Sequence, residues 1–562
     1  MNPEQLRPML FIALAFVLFL MWQEWQLDYG PKPPPAQTPT QESVATASGD
    51  SPPVVPQASQ TNEVPVTPIS SATTAQASST PETPTTVEPA ASIVTVTTDV
   101  IRVRIDTAGG TLRQLELLQY PASSGEEDTG PFLLPNDQLP DLFMAQSGLL
   151  GEDAPNHTAT MMAAKSEYQL KDGEDAVEVV LNWRSEKGIE VRKVFEFRRG
   201  QYQLNVRYEV ENKSNAPWAA RMYGQFKRTQ VVQEGGIGLI YTYTGGVISS
   251  EEKPYDKVDF ADMADADVAR EHKGGWVAMI QHYFAGAWIP NPDTSNYYYS
   301  KAEPGSPYLL GTMSPNKMVA AGATGNYSMG AYIGPKIQDL MSEAAPNLDR
   351  TVDYGWLWMI AQPLFLGLSL IHSFLGNWGW SIITLTLLIK LAFFHLSATS
   401  YKSMARMRKL QPKMVQLRER HGDDRQKMNQ AMMELYKTEK INPLSGCLPI
   451  LVQIPVFIAL YWTLLESVEL RHAPFMFWLT DLATHDPYFV LPVLMGLSML
   501  IQQRLNPAPP DPIQAKVMMA LPFVFTFFFL WFPSGLVLYW VVNNILSIAQ
   551  QWVITKRIEA AP

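Results

Sequence analysis

Hydrophobic and polar positions divide this chain into two unlike halves. From residue 356 onward, long apolar runs recur; before it, after one apolar run near the start, polar positions dominate. That first run, PMLFIALAFVLFLMW at residues 8–22, follows Arg7 and is followed by Gln23-Glu24-Trp25 with no small-x-small cleavage site. It predicts an uncleaved signal anchor over residues 1–25, a cleaved signal being the alternative. Residues 6–25 reach the roughly 30 Å needed at about 1.5 Å per residue. Residues 26–92 are rich in Pro, Thr, Ser, Ala and Gln. Such a stretch cannot bury enough apolar surface to offset its ordering entropy, so it reads as a disordered tether.

Residues 93–353 change period. IVTVTTDVIRVRID alternates and is β-branched, and the turn Ala108-Gly109-Gly110 follows it. AVEVVLNW, IEVRKVFEFRR and YQLNVRYEVEN repeat the pattern between turns. Many such strands with little helical periodicity predict a large all-β antiparallel sandwich, reaching about residue 338.

Residues 354–376 are apolar and aromatic (Trp356, Trp358, Phe365, Phe374) but broken by Pro363, Gly367 and His372. Trp favours the interface, so this reads as a helix lying on the membrane, a span being the alternative. A second span is expected within 377–397, centred on 380–396. Four more follow at about 443–465, 488–505, 516–532 and 536–553, the last two joined by Pro533-Ser534-Gly535. Pro449 and Pro455 inside a span are tolerable where neighbouring helices satisfy the freed carbonyls.

Basic residues orient these spans. Residues 398–440 carry 11 Lys+Arg against 5 acids and are expected in the cytoplasm. The β region and the 466–487 loop then lie outside, and the 555–562 tail, with Lys556 and Arg557, lies inside. Six spans with both termini cytoplasmic satisfy every loop. Residues 399–420 and 424–437 read as two helices about the turn His421-Gly422-Asp423-Asp424, with Asp as cap.

Composition adds contrast. Mean hydropathy of −0.07 suggests a soluble protein, but it averages two unlike halves. The net charge of −11 is also split: residues 23–355 hold 25 bases and 42 acids, residues 356–562 hold 17 and 11. An acidic first half argues against nucleic acid as its partner. With Cys447 as the single cysteine there is no intramolecular disulfide, CxxC pair or zinc spacing. His157, His272 and His282 are scattered among acids and read as solvated or structural. No nucleotide motif is present, and no metal, cofactor or catalytic set is expected.

The candidate chemistry lies in the membrane half. Lys390 sits within SIITLTLLIKLAFF, where a charge costs roughly 2.5–3.5 kcal/mol at bilayer centre. No Asp or Glu lies within the last five expected spans. The amine therefore snorkels to an interface, loses its proton, or faces a water-filled cavity. Thr386 shares its helix face. Gln453, Tyr539, Trp540, Asn543, Asn544, Ser547 and Gln550 supply further polar or amphipathic groups, either lining that cavity or acting as interhelical glue. The hairpin carries Met404, Arg406, Met407, Arg408, Lys409, Met414, Met428, Met432 and Met433. Soft apolar surface with basic charge suits anionic lipid, nascent hydrophobic segments or ribosomal RNA; the alternative is hairpin packing plus the orientation signal.

Three segments carry a family likeness. They are Asn442-Pro443-Leu444-Ser445-Gly446-Cys447-Leu448-Pro449 with Gln453-Ile454-Pro455-Val456-Phe457; Trp531-Phe532-Pro533-Ser534-Gly535-Leu536-Val537-Leu538-Tyr539-Trp540; and SMARMRKLQPKM from Ser403 to Met414. They resemble the hallmark segments of the YidC/Oxa/Alb insertases, in the Gram-negative form with a long periplasmic insert. The resemblance implies a multi-pass inner-membrane protein with a five-helix core. Its groove would be hydrophilic, open to cytoplasm and lipid, with an insert similar to the β-supersandwich of sugar mutarotases but not an enzyme. It implies an insertase and chaperone for nascent transmembrane segments, acting alone or with SecYEG and SecDF, with ribosome or signal-recognition machinery and lipid at the hairpin. Lys390 replaces the family's usual groove Arg. His395 stands where the family often has Pro, which predicts a straighter helix end.

Two rival classes make different demands. A secondary transporter would show inverted repeats and paired intramembrane charges. A periplasmic carbohydrate enzyme would need only one anchor.

Overall fold

The computed structural model describes residues 93–122, 130–230, 242–302, 305, 307–421, 425–439, 448–506 and 512–559. The expected anchor and tether (1–92), the hairpin turn with its capping Asp (422–424) and part of the third-span motif (442–447) lie outside the described residues.

Alternation in the first half becomes two facing sheets. Ile101–Asp106 buries Ile101, Val103 and Ile105 while Arg102 and Arg104 face solvent. Gln203–Asn212 does the same with Leu204, Val206, Tyr208 and Val210, as the two-residue side-chain period of a strand requires. Among the described residues one sheet has 11 strands, running from Ala269–Lys273 through Trp218–Arg228 and Phe143–Gly151 to Ile93–Thr97 and Glu167–Gln169. The other has nine among the described residues, with Phe284–Ile289, Thr324–Pro335, Gln203–Asn212 and Ile189–Arg198 at its centre. Pairing in these centres is antiparallel; Ile93–Thr97 pairs in parallel with Glu167–Gln169.

Between the sheets lie Phe195, Phe226, Tyr208, Trp276 and Trp288, all fully buried. Gly224 is needed there: a Cβ would stand 2.5 Å from the Trp288 ring. Lys193 is buried in this core as well, and its ammonium donates to the carbonyls of Gly109, Gly110 and Ser147 at 2.7, 3.1 and 3.1 Å. The expected all-β sandwich is the fold found.

The second half is helical: α1 (Trp358–Leu375), α2 (Trp378–Ala392), α3 (Phe394–His421), α4 (Arg425–Thr438), α5 (Leu448–Glu466), α6 (Val490–Leu505), α7 (Pro512–Phe528) and α8 (Ser534–Glu559). By length and composition, Gly355–Leu375 and Ser534–Ile558 are each able to cross a membrane. The bent α2–α3 pair would make a third, and Val452–Glu466, Val490–Leu505 and Ala515–Trp531 are shorter apolar helices.

Two expectations change here. The helix end is not straight at His395: α2 and α3 meet at 67° across Phe393. No proline is involved. Beside the bend, Gln550 of α8 donates to the Phe394 carbonyl at 3.2 Å. Lys390 consequently occupies the last turn of α2 rather than its middle.

The sandwich is fastened to the helices by the C-terminal end of α5 and the segment after it. Lys336 and Glu466, 2% and 3% exposed, form an ion pair at 3.9 Å. The Nε2 of His282 hydrogen-bonds the Leu465 carbonyl at 2.8 Å, and Val468 joins the sandwich core. Arg471 donates to the Ala122 carbonyl at 3.0 Å and lies 5.5 Å from the ring centroids of both Phe132 and Phe284.

Candidate functional site

The loop between α5 and α6 closes the sandwich-side end of the helices. Leu470, Ala473, Leu479 and Leu482 enter the helical core. Asp481 accepts the backbone N–H of His472 and Ala483, and Asp486 accepts from Tyr488, Leu491 and the Trp478 indole. Asn377 caps α2 by accepting from Trp380 N–H and ties it to this loop through the Pro474 and Phe475 carbonyls. Gly379 lets Phe475 lie against α2, since a Cβ would approach its ring to 2.0 Å.

At the opposite end of α2, Lys390 is 6% exposed. Its Nζ donates to Ser547 Oγ at 2.7 Å, and Ser547 donates onward to the Asn543 carbonyl at 2.6 Å. Among the described residues no carboxylate pairs with it. An ammonium has three donors, so Ser547 leaves capacity for water or an incoming acid.

The other expected groups separate by helix face. Thr386 is buried one turn away, but its hydroxyl donates to Ile382 O of its own helix at 2.6 Å. Asn544 turns about 100° from Asn543, as adjacent helical residues must, and donates to Ser498 of α6 at 2.9 Å. Gln551 continues that second layer by donating to Asn506 at 2.9 Å. Gln550 serves the Phe394 carbonyl. Tyr539 and Trp540 pack on Phe457 of α5, with ring centroids 6.0 and 4.8 Å apart. Gln453 stands half-buried one turn before Phe457. The structure thus joins Lys390 with Ser547 and the Asn543 backbone, and places Thr386, Asn544, Tyr539 and Trp540 in other contacts.

Sequence reasoning passed over Ser498, Asn506 and Gln551. The four-residue recurrence Asn543, Ser547, Gln551 was a usable signal for Gln551. Ser498 and Asn506 had none, because partner choice across helices leaves no local pattern.

In the α3–α4 hairpin the methionines divide. Leu410 and Met414 are buried with Met407, Met432, Leu435 and Tyr436, so these hold the hairpin together. Met404 and Met433 are half-buried outside that cluster, and Arg406 and Arg408 are exposed. Lys409 donates to the Ile558 carbonyl at 2.9 Å, a cation on the C-terminal end of α8, and Lys413 pairs with Glu439 at 2.6 Å.

The sandwich–helix junction, unforeseen from sequence, holds perturbed titratable groups. Burial pushes the His282 imidazole down to about 4. Enclosure pushes the Glu469 carboxyl up to about 7, and its Oε2 makes no hydrogen bond among the described residues. Burial also lowers the Lys336 ammonium against the pull of Glu466. Among the described residues no group of three His, Cys, Asp or Glu could hold a metal ion.

Comparison with known proteins covers nearly the whole chain. A family model described as YidC periplasmic domain matches residues 93–366, and one described as 60Kd inner membrane protein matches residues 370–561. Proteins named membrane protein insertase YidC are similar at full length. That of Nitrosococcus oceani is 50% identical over 99% of both chains. That of Methylococcus capsulatus is 49% identical over 99% of both, and that of Stutzerimonas stutzeri 50% identical over 99% of this chain and 98% of its own. Among solved structures, an active YidC insertase crystal structure with the first transmembrane domain resolved aligns over 82% of this chain and 94% of its own. That alignment has 18% identity and TM-score 0.37. A galactose mutarotase related enzyme of Lactobacillus acidophilus aligns over 43% and 97%, with 11% identity and TM-score 0.30.

Proposed function

The chain belongs to the YidC family of membrane protein insertases, and from that premise we propose that it receives client transmembrane segments at the wet end of α2, where Lys390 meets Ser547. It is an inner-membrane protein with a periplasmic domain, and its substrates are membrane proteins. Its relatives are named as insertases rather than enzymes.

The Lys390–Ser547 contact carries this reading. A desolvated cation is costly in a bilayer, so it persists where water, a partner or a visiting charge meets it. Here one hydroxyl partner leaves two donors for a client's acidic residues. The client's polar tail meets Met404, Arg406, Arg408 and Met433 on the hairpin, then enters beside Lys390. Gln453, Thr386, Asn543, Tyr539 and Trp540 line the path or hold its walls, and Asn544 ties α8 to α6 beside it. Partition of the client helix into lipid, worth roughly 25 cal/mol per Å² of apolar surface, drives release. No nucleotide is consumed by this chain.

The proposed layout is six spans with both termini cytoplasmic, the first within residues 1–25, and the α3–α4 hairpin in the cytoplasm. Ribosome, signal-recognition machinery and anionic lipid meet that hairpin. The protein works alone or beside SecYEG and SecDF, and chaperones clients after entry.

The test is insertion into liposomes holding the purified protein. Lys390→Glu is expected to impair clients with acidic tails, and unchanged insertion would remove the role given to this charge.

A further inference from the structure

Where the chain leaves the sandwich for α1, a cavity of about 240 Å³ opens, lined in part by Gln338, Asn347, Asp349, Arg350, Trp358 and Gln362. Its walls carry both signs of charge. Arg350 is exposed and lies 5.8 Å from the Trp358 ring centroid, a cation–π contact; among the described residues it has no carboxylate partner. Asp349, beside it, is half-buried and forms no ion pair among the described residues. Asp353 on the same wall is committed already, to Lys257 at 2.8 Å and Gly355 N–H at 3.0 Å. Gln338 is likewise engaged, donating to the Tyr354 hydroxyl at 2.6 Å. Arg350 and Asp349 therefore remain as one cation and one anion facing the same small space.

Below the mouth the surface turns apolar. Trp356 and Trp358 are 59% and 50% exposed. Met359, Leu366, Leu370 and Phe374 are exposed and fall on one helical stripe leading away from the cavity. Exposed indoles above an apolar stripe mark headgroup level.

We infer that this cavity binds the headgroup of an amine-bearing phospholipid, phosphatidylethanolamine, whose acyl chains lie along that stripe. Arg350 presents a fork of donors to the phosphate. Asp349 accepts from the primary ammonium. A glycerol headgroup offers no cation to Asp349, and choline has no N–H to donate. The bound lipid would pin the sandwich at the outer boundary of the bilayer. This rests on the reading that α1 meets the membrane, whether lying on it or crossing it.

The test uses the full-length protein in vesicles of equal parts phosphatidylethanolamine and phosphatidylglycerol, with a trace of photoactivatable phosphatidylethanolamine. Adducts are expected on residues 356–370. Arg350→Ala should reduce them several-fold while adducts on Val490–Leu505 stay unchanged, which controls for folding. Asp349→Asn should remove the advantage of phosphatidylethanolamine over an equally photoactivatable phosphatidylglycerol. Equal labelling in Arg350→Ala would overturn the inference. So would loss of labelling in excess inorganic phosphate, which would mark a site for small soluble anions. Absence of adducts on every helix would instead defeat the membrane placement itself.

Discussion

Lys390 Nζ lies 2.7 Å from Ser547 Oγ, a contact between α2 and α8 across 157 positions of the chain. Hydrogen bonds to charged groups are worth about 1.5–3 kcal/mol. Ser547→Ala is therefore expected to weaken insertion of acidic-tailed clients less than Lys390→Met, and Lys390→Arg to preserve it. Protease protection of radiolabelled clients in liposomes reads all three. Equal activity of Lys390→Met and the native protein would count against a working charge.

The Lys336–Glu466 pair joins sandwich to helices inside a buried junction. Removing one partner strands the other charge, at a cost of about 3–5 kcal/mol. Lys336→Met should thus loosen the junction, seen as faster protease cleavage between sandwich and helices. Lys336→Met with Glu466→Gln should recover most of the loss. A double variant as weak as the single one would show that the pair is not the cause.

Glu469 sets a pH dependence. Its carboxyl is raised from 4.5 to about 7, so the folded protein keeps a proton that the unfolded chain releases. That contribution is complete below about pH 4.5 and is lost as pH rises through about 7. His282 runs the other way: its contribution is present above its ordinary value of 6.5 and is lost as pH falls through about 4. Glu469→Gln should flatten the fall in melting temperature between about pH 4.5 and 7, by the equivalent of about 3 kcal/mol at most, and leave the opposing His282 rise over about pH 4 to 6.5 standing alone. An unaltered slope between about pH 4.5 and 7 would refute the assignment.

Lys193 is matched to three carbonyls inside the sandwich. Lys193→Met keeps the volume but leaves those acceptors unmet, and should lower stability by about 1–3 kcal/mol. Denaturant midpoints with an unchanged slope would report it. A neutral or stabilising result would mean that the apolar isostere repacks the core better than the charge does.

Much was legible along the chain because periodicity is local. Two-residue alternation exposed the sandwich, since each strand buries alternate side chains whatever its partner: Ile101, Val103 and Ile105 could be read in place. Apolar runs likewise marked α2, α5, α6 and α8, and lone Lys390 stood out against them. What the chain could not declare was pairing between distant elements. Gln550 meets the Phe394 carbonyl beside the turn, Lys390 meets Ser547 of α8, and Asn544 reaches Ser498 of α6. The junction of Lys336, His282 and Glu466 joins positions 54 to 184 residues apart. Only packing decides such contacts, because burial and partner geometry arise after helices and sheets have met, and a residue's neighbours in sequence do not say which face another element will cover.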